Sequence, residues 1–373
     1  MNKQLLRLTE IAQKPQRKII GLMSGTSLDG LDIALCRFKW KKSTLLNFKT
    51  VDYPEELRGR IRAIQSQPQV SLEEVCVLHT ELAHLYADLV LEALKEWGVK
   101  PGQVDLIASH GQTIYHHPDK KMNSTLQIVD GDHIAEKTGI VTISDFRQKH
   151  VAKGGEGAPL AGIMDEVIFR SKAKNRVLLN LGGISNFTWL PAKESKEQVI
   201  TSDIGPANTL INEAMKKHFG KPFDEDGKVA STGKVDSELL KYLLLEPFFR
   251  KPLPKTTGQE DFNLDLVEEL MEGYQIELEP KDLIATLTHL TIQSITRTFE
   301  ELMGDREFEL FVSGGGVHNS LIMNGLRERL PNVEFKDFEE FGFSADAKEA
   351  VLMAFLANEC VVGGEWELGK VSF

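Results

Sequence analysis

Cysteine is scarce in this chain: Cys36, Cys76 and Cys360 stand apart across 373 residues. Three scattered thiols cannot build a disulfide framework, and no C-x-x-C pair suggests zinc. That usage fits a reducing compartment and a cytoplasmic protein. No run approaches the 18 apolar residues of a membrane span. Residues 1–18 lack the apolar core and small-residue cleavage site of a signal peptide and read as a short amphipathic extension. A basic excess is missing too. The formal charge of −11 repels phosphate backbones, which excludes general nucleic-acid binding. Any site for a phosphorylated ligand must then be locally basic or rich in N–H donors. The remaining composition is ordinary for a globular protein, and the length suits two lobes better than a single core.

The most informative segment is Gly21-Leu22-Met23-Ser24-Gly25-Thr26-Ser27-Leu28-Asp29-Gly30. Apolar Ile19 and Ile20 precede it and an apolar stretch from Leu31 follows, so it reads as strand, small-residue turn, strand. Small residues admit a ligand close to the backbone, and successive N–H groups in a tight turn form a concavity for anions. A hairpin with a merely polar turn fits as well. Residues 176–190 repeat the design around Gly182-Gly183, and Glu309–Ser313 is a strand that feeds Gly314-Gly315-Gly316. Helical spacing covers 71–97, with Ser71 as N-cap, then 207–218, 261–273, 281–303, a stretch from about 319, and 345–360 after Ser344. Strands that end in polar turns and alternate with helices predict an α/β protein with ligands at the carboxyl ends of its strands. Six such turns (24–30, 109–113, 145–157, 182–186, 202–208 and 314–316) argue for a shared cleft.

The paired strand–turn–strand units and the triple glycine resemble the sugar kinase and actin superfamily. More closely, the chain resembles the 1,6-anhydro-N-acetylmuramic acid kinase family. The matching motifs are GLMSGTSLDGLD (21–32), SHGQT (109–113), SDFR (144–147), GGEGAPL (154–160), NLGGISN (180–186), DIGPAN (203–208), STG (231–233), GGGVHN (314–319) and DAKEAVLMAFLA (346–357). The resemblance implies a two-lobed actin-like ATPase fold, with duplicated ribonuclease H-like lobes and a central cleft. Lobe I would span 1–175, completed by a C-terminal helix within 344–373, and lobe II would span 176–343. It also implies a reaction in which water opens the 1,6-anhydro bridge of an amino sugar while O6 takes the γ-phosphoryl group of ATP with magnesium. A homodimer is left open.

Carried over residue by residue, Asp203 would be the general base. Glu349, Arg147, His110 and Gln112 would bind the sugar, with Arg147 on its lactyl carboxylate. Ser24, Gly25, Thr26, Ser27, Leu28, Asp29, Gly30 and Asp32 would form the first phosphate site. Gly182, Gly183, Asn186, Gly205 and Asn208 would form the second. Gly314, Gly315 and Gly316 would lie near adenosine, and Asp29 and Asp32 would hold magnesium through water. Each residue has a plainer reading: Asp203 as an N-cap, Glu349 as a solvated helix charge, Arg147 in a basic loop, His110 as a structural histidine. The chain departs from the family at His150, Glu156, Val129 and Ala207, where Asp, Gln, Gly and Gly are usual. Two other readings stay open: a conventional sugar kinase acting on a free hydroxyl, and an actin-like protein that works by assembly.

Overall fold

Ile19, Ile20 and Leu22 are wholly buried on strand β1 (Gln16–Met23), which therefore needs cover on both faces. In the computed structural model, which describes residues 3–39, 42–117, 122–157, 165–258 and 261–363, β1 is a central strand. It pairs antiparallel with β2 (Gly30–Lys39), and β2 pairs antiparallel with β3 (Lys42–Asp52). On its other side β1 runs parallel to β4 (Leu106–Ser109). A separate hairpin joins β5 (Gln112–His117) to β6 (Ser124–Ile128), and β7 (Val141–Ile143) closes the sheet in the order β3-β2-β1-β4-β7.

The chain divides into two compact units, residues 1–161 with 341–373, and residues 162–340. The second unit repeats the plan. Strands β8 (Arg176–Leu181), β9 (Ile184–Leu190) and β10 (Ile200–Pro206) form the antiparallel trio. Strands β11 (Phe308–Ser313) and β12 (Val333–Lys336) add the parallel pair, in the order β10-β9-β8-β11-β12. Three antiparallel strands followed by two parallel ones, twice, is the duplicated ribonuclease H-like α/β arrangement of the actin-like ATPase fold. Each unit has its own apolar core. The second unit begins earlier than residue 176, because Asp165–Phe169 belongs with it. There Thr188 Oγ1 donates to Asp165 Oδ2 at 2.8 Å, and the Phe169 ring meets Phe338 edge-on at 5.6 Å.

Two helices cover the faces of the first sheet. Leu72–Glu96 starts where Ser71 caps it, its side chain accepting the Glu74 N–H at 3.3 Å. Lys348–Val362 covers the other face, although it follows the whole second unit in the sequence. It begins three residues later than Ser344 suggests, because the Ser344 oxygens hold a tight turn that precedes it. Sequence periodicity missed the helix Lys3–Gln13, which buries Ile11, so the amino terminus is more than an extension. It also took 145–157 for a turn, whereas Phe146–Ala152 is helical. Residues 158–160 of the GGEGAPL motif and the expected helix beyond 363 lie outside the described residues.

Gly21 shows how tightly the closing helix sits. A Cβ there would lie 1.8 Å from the Ala350 carbonyl oxygen and 2.8 Å from the Ala354 nitrogen. Both are backbone atoms, so no side chain can swing aside. Gly21→Ala is expected to cost about 3 kcal/mol or more, read as a lowered unfolding midpoint in heat or urea. An unchanged midpoint would contradict the packing.

Candidate functional site

The site residues of the first unit gather at the carboxyl ends of β1 and β4. After Met23 the chain turns through Leu28, which takes a left-handed φ of 61° while burying its side chain. That conformation is unusual for a non-glycine residue, and such strain clusters at ligand sites. The turn leaves Thr26, Ser27 and Asp29 exposed. Ser24 is different: it is 1% exposed and donates its hydroxyl to Gln112 Oε1 at 2.7 Å. Gln112 is fully buried and donates through Nε2 to the Gly25 carbonyl at 3.1 Å. Beneath them the Tyr53 and Tyr86 hydroxyls meet at 2.6 Å. Burial pushes the Tyr53 phenol up and that of Tyr86 to about 12, so both stay protonated. Gly30 serves packing, since a Cβ would strike the Val51 carbonyl oxygen at 2.2 Å.

His110 and Arg147 form one device. Arg147 donates its Nε–H to His110 Nε2 at 2.9 Å, and His110 Nδ1 lies 3.0 Å from the Gly111 carbonyl. A carbonyl can only accept, so the imidazole carries its proton on Nδ1 and is neutral. Burial, then the Arg147 cation, hold His110 down to about 4. Burial lowers Arg147 itself, partly offset by Glu349, a residue of the first turn of Lys348–Val362. The two terminal nitrogens of Arg147 donate to no described group, which leaves the fork for an anion.

Asp32 lies on β2, in the strand that follows the turn, and its Oδ1 accepts from Thr50 Oγ1 at 2.6 Å. Burial raises it, and Glu349, Asp346 and Asp29 add to the rise despite the Thr50 hydrogen bond. Among the described residues no group of three His, Cys, Asp or Glu could hold a metal ion. Asp29 and Asp32 therefore fit a cation only as a supplement to phosphate oxygens, where its charge would relieve the crowded carboxylates.

In the second unit the turn after β8 is tied to the helix Asn208–Phe219. The Ala207, Asn208 and Thr209 N–H groups donate to the carbonyls of Gly183, Gly182 and Gly183. Asn208 Nδ2 donates to the Leu181 and Gly182 carbonyls at 2.9 and 2.8 Å. Asn186 is not in the turn: on β9 it pairs with Asn180 on one side and Asp203 on the other. Directly opposed residues share a sheet face, so Asn180, Asn186 and Asp203 form a row.

Asp203 sits within β10, at the bulge that separates its register from that of Gly205. It caps no helix, since Asn208–Phe219 has no side-chain cap. Residues 255–257 run alongside: the Asp203 N–H donates to the Lys255 carbonyl at 2.9 Å, and the Thr257 N–H donates to Asp203 Oδ2 at 3.0 Å. Burial raises this carboxyl, with the Thr257 N–H pulling the other way. Its Oδ1 accepts no hydrogen bond among the described residues. Gly205 is a packing glycine, with φ 149° and the Phe249 ring 2.8 Å from where a Cβ would stand.

Gly314 and Gly316 let the turn after β11 lie against Leu181, while Gly315 faces open space. Gly315 lines a cavity of about 450 Å³ with Ile211, Asn212, Phe223 and His318. Of those four only His318 fell within a quoted motif, GGGVHN; Phe223, an aromatic 55% exposed, asks for a reason that only the structure raises. Thr257 gave no signal, because its backbone is what matters. Two family departures have structural counterparts. Val129 holds φ 100°, a conformation suited to the usual glycine, and His150 Nδ1 accepts the Gly157 N–H at 3.2 Å.

His110 also makes a pH prediction. Its folded value lies below the ordinary imidazole value, so the unfolded chain binds more protons between about 6.5 and 4. Stability is full above that window and is lost as pH falls through it. Relative to His110→Asn, the unaltered chain should lose on the order of 2 kcal/mol more between pH 7 and 4.5, read by chemical denaturation. Equal losses would refute the neutral, buried imidazole.

No helix among the described residues is long and apolar enough to cross a membrane. Residues 17–364 match the family described as anhydro-N-acetylmuramic acid kinase. A relative so named from Pseudoalteromonas atlantica is 44% identical, over 100% of this chain and 96% of its own. Another from Caldanaerobacter subterraneus is 41% identical, over 96% and 94%. Among solved structures, the activator of 2-hydroxyisocaproyl-CoA dehydratase from Clostridium difficile with bound ADPNP superposes at a TM-score of 0.43, with 9% identity over 92% of this chain and 95% of its own. A ROK family glucokinase from Streptomyces griseus in complex with glucose and AMPPNP gives 0.38, with 10% identity over 91% and 98%. The sequence matches run almost end to end with every site motif inside them, and the chain belongs to the anhydro-N-acetylmuramic acid kinase family.

Proposed function

We propose that this kinase uses ATP and water to convert 1,6-anhydro-N-acetylmuramate into N-acetylmuramate 6-phosphate, a step in the recycling of cell-wall sugars. The observation that carries the reading is the state of Asp203: half-buried, raised by that burial, held on one oxygen by the Thr257 N–H and open on the other. A general base needs that combination of a fixed position and an available lone pair. Asp203 Oδ1 takes a proton from water as the water oxygen bonds to C1. The C1–O6 bond breaks, and O6 attacks the γ-phosphorus as the bond to ADP breaks. Asn186 lies across the ladder from Asp203, and in this reading it orients the water or the sugar.

Arg147, aimed by His110, receives the lactyl carboxylate, and Glu349 orients sugar hydroxyls. In the first unit the Thr26 and Ser27 segment, and in the second the Gly182-Gly183 turn, each offer backbone N–H groups to phosphate oxygens. Adenosine occupies the cavity beside Gly315, where Phe223 offers an aromatic face. Asp29 and Asp32 would hold magnesium together with phosphate oxygens, where it would supply charge neutralisation for the transferring group.

The direct test places oxygen-18 in the anhydro bridge. Recovery of the label in the phosphate ester, by phosphorus NMR, is the expected outcome. Turnover confined to free hexoses would overturn the reading in favour of a conventional sugar kinase. Asp203→Asn should lose about 10²-fold or more in kcat, and near-normal turnover would remove it as the base. Thr257→Pro deletes the N–H that favours the carboxylate, so the acid limb of kcat/KM should move to higher pH by about one unit. A shift to lower pH would contradict the assignment.

A further inference from the structure

The two turns share a device that their sequences do not. In each, a side-chain amide from a neighbouring element holds the carbonyl of a turn glycine. Gln112 Nε2 holds that of Gly25 at 3.1 Å, and Asn208 Nδ2 holds that of Gly182 at 2.8 Å. The amide orientations are fixed, because a carbonyl accepts only from the NH₂ end. A trans peptide points its N–H opposite to its C=O. Fixing the Gly25 carbonyl inward therefore turns the Thr26 N–H outward, and fixing the Gly182 carbonyl does the same for Gly183. Neither N–H donates to any described group.

We propose that Gln112 and Asn208 are positioning residues that aim the Thr26 and Gly183 N–H groups at phosphoryl oxygens, and that neither side chain touches a substrate. The inference rests on the two turns being the phosphate grips. Gln112 has little freedom for another role: its Oε1 accepts from Ser24 at 2.7 Å, and it is fully buried. Ser24 in turn neighbours the Tyr53 and Tyr86 hydroxyls. This reassigns Gln112 from the sugar to the nucleotide, and Ser24 and Asn208 from phosphate contacts to supports.

Steady-state kinetics on the full chain, with KM for ATP and for the anhydro sugar measured separately, test the idea. Gln112→Met keeps the bulk and removes the donor; Asn208→Ala removes the donor in the other unit, at a half-exposed position, and an unfolding midpoint measured on each variant confirms that it is folded. Each should raise KM for ATP about tenfold or more and leave KM for the sugar within twofold. The double variant should combine both effects, because the braces share no partner. A sugar KM that rises alone in Gln112→Met overturns the proposal, as does an unchanged ATP KM in Asn208→Ala. Thr26→Pro, which deletes the aimed donor itself, separates the two levels. If it leaves the ATP KM unchanged, the phosphate reading of the turn fails. If it raises that KM while the amide variants do not, only the aiming fails.

Discussion

Contact between bare backbones, Gly21 of β1 against the Ala350 and Ala354 turn of the closing helix, sets the geometry of the first unit. Because no Cβ intervenes, the helix lies as near the sheet as backbone atoms allow. Its first turn then brings Glu349 within electrostatic reach of Asp32 and Arg147. The burial that follows makes these charges consequential. It keeps His110 neutral, lowers Arg147 against the pull of Glu349 and raises Asp32. In water the same residues would be independent surface charges of little consequence.

The second unit reaches its arrangement by irregularity. A regular β10 would alternate its side chains strictly, but the bulge between Asp203 and Gly205 breaks the register with β9. Bulges re-aim a side chain and recur beside active sites. Here the bulge coincides with a third segment, 255–257, whose backbone satisfies the Asp203 N–H and one carboxylate oxygen. Asp203 is thus held by main-chain groups, which side-chain substitutions around it cannot easily remove.

Much of this was legible in the sequence, for reasons that differ by residue. The turns at 24–30 and 182–186 announce themselves because small polar residues interrupt long apolar strands. Asp203 and Arg147 stand out as charges that follow short apolar runs. Other features were hidden because they depend on partners remote in the chain. Nothing near Gln112 reveals that Ser24 and Gly25 occupy both ends of its amide. Asn186 looks like part of a turn until the register places it opposite Asp203. Gly30 and Gly205 look like ligand glycines, yet their bare Cα atoms answer to Val51 and Phe249. The short helix Phe146–Ala152 escaped notice because seven residues carry too little periodicity to read.

The position of the closing helix also bears on how the chain is made. Residues 350–359 are buried in the first unit, with Phe355 beside Phe38 at 6.3 Å, yet they are synthesised after the entire second unit. An emerging first unit would present one uncovered apolar face of its sheet for the whole interval, while the second unit, continuous in sequence, could already close on itself. Completion then runs opposite to the direction of synthesis, and a chain cut short before residue 350 would lack the cover for β1. Exposed sheet faces are what chaperones bind and what aggregates.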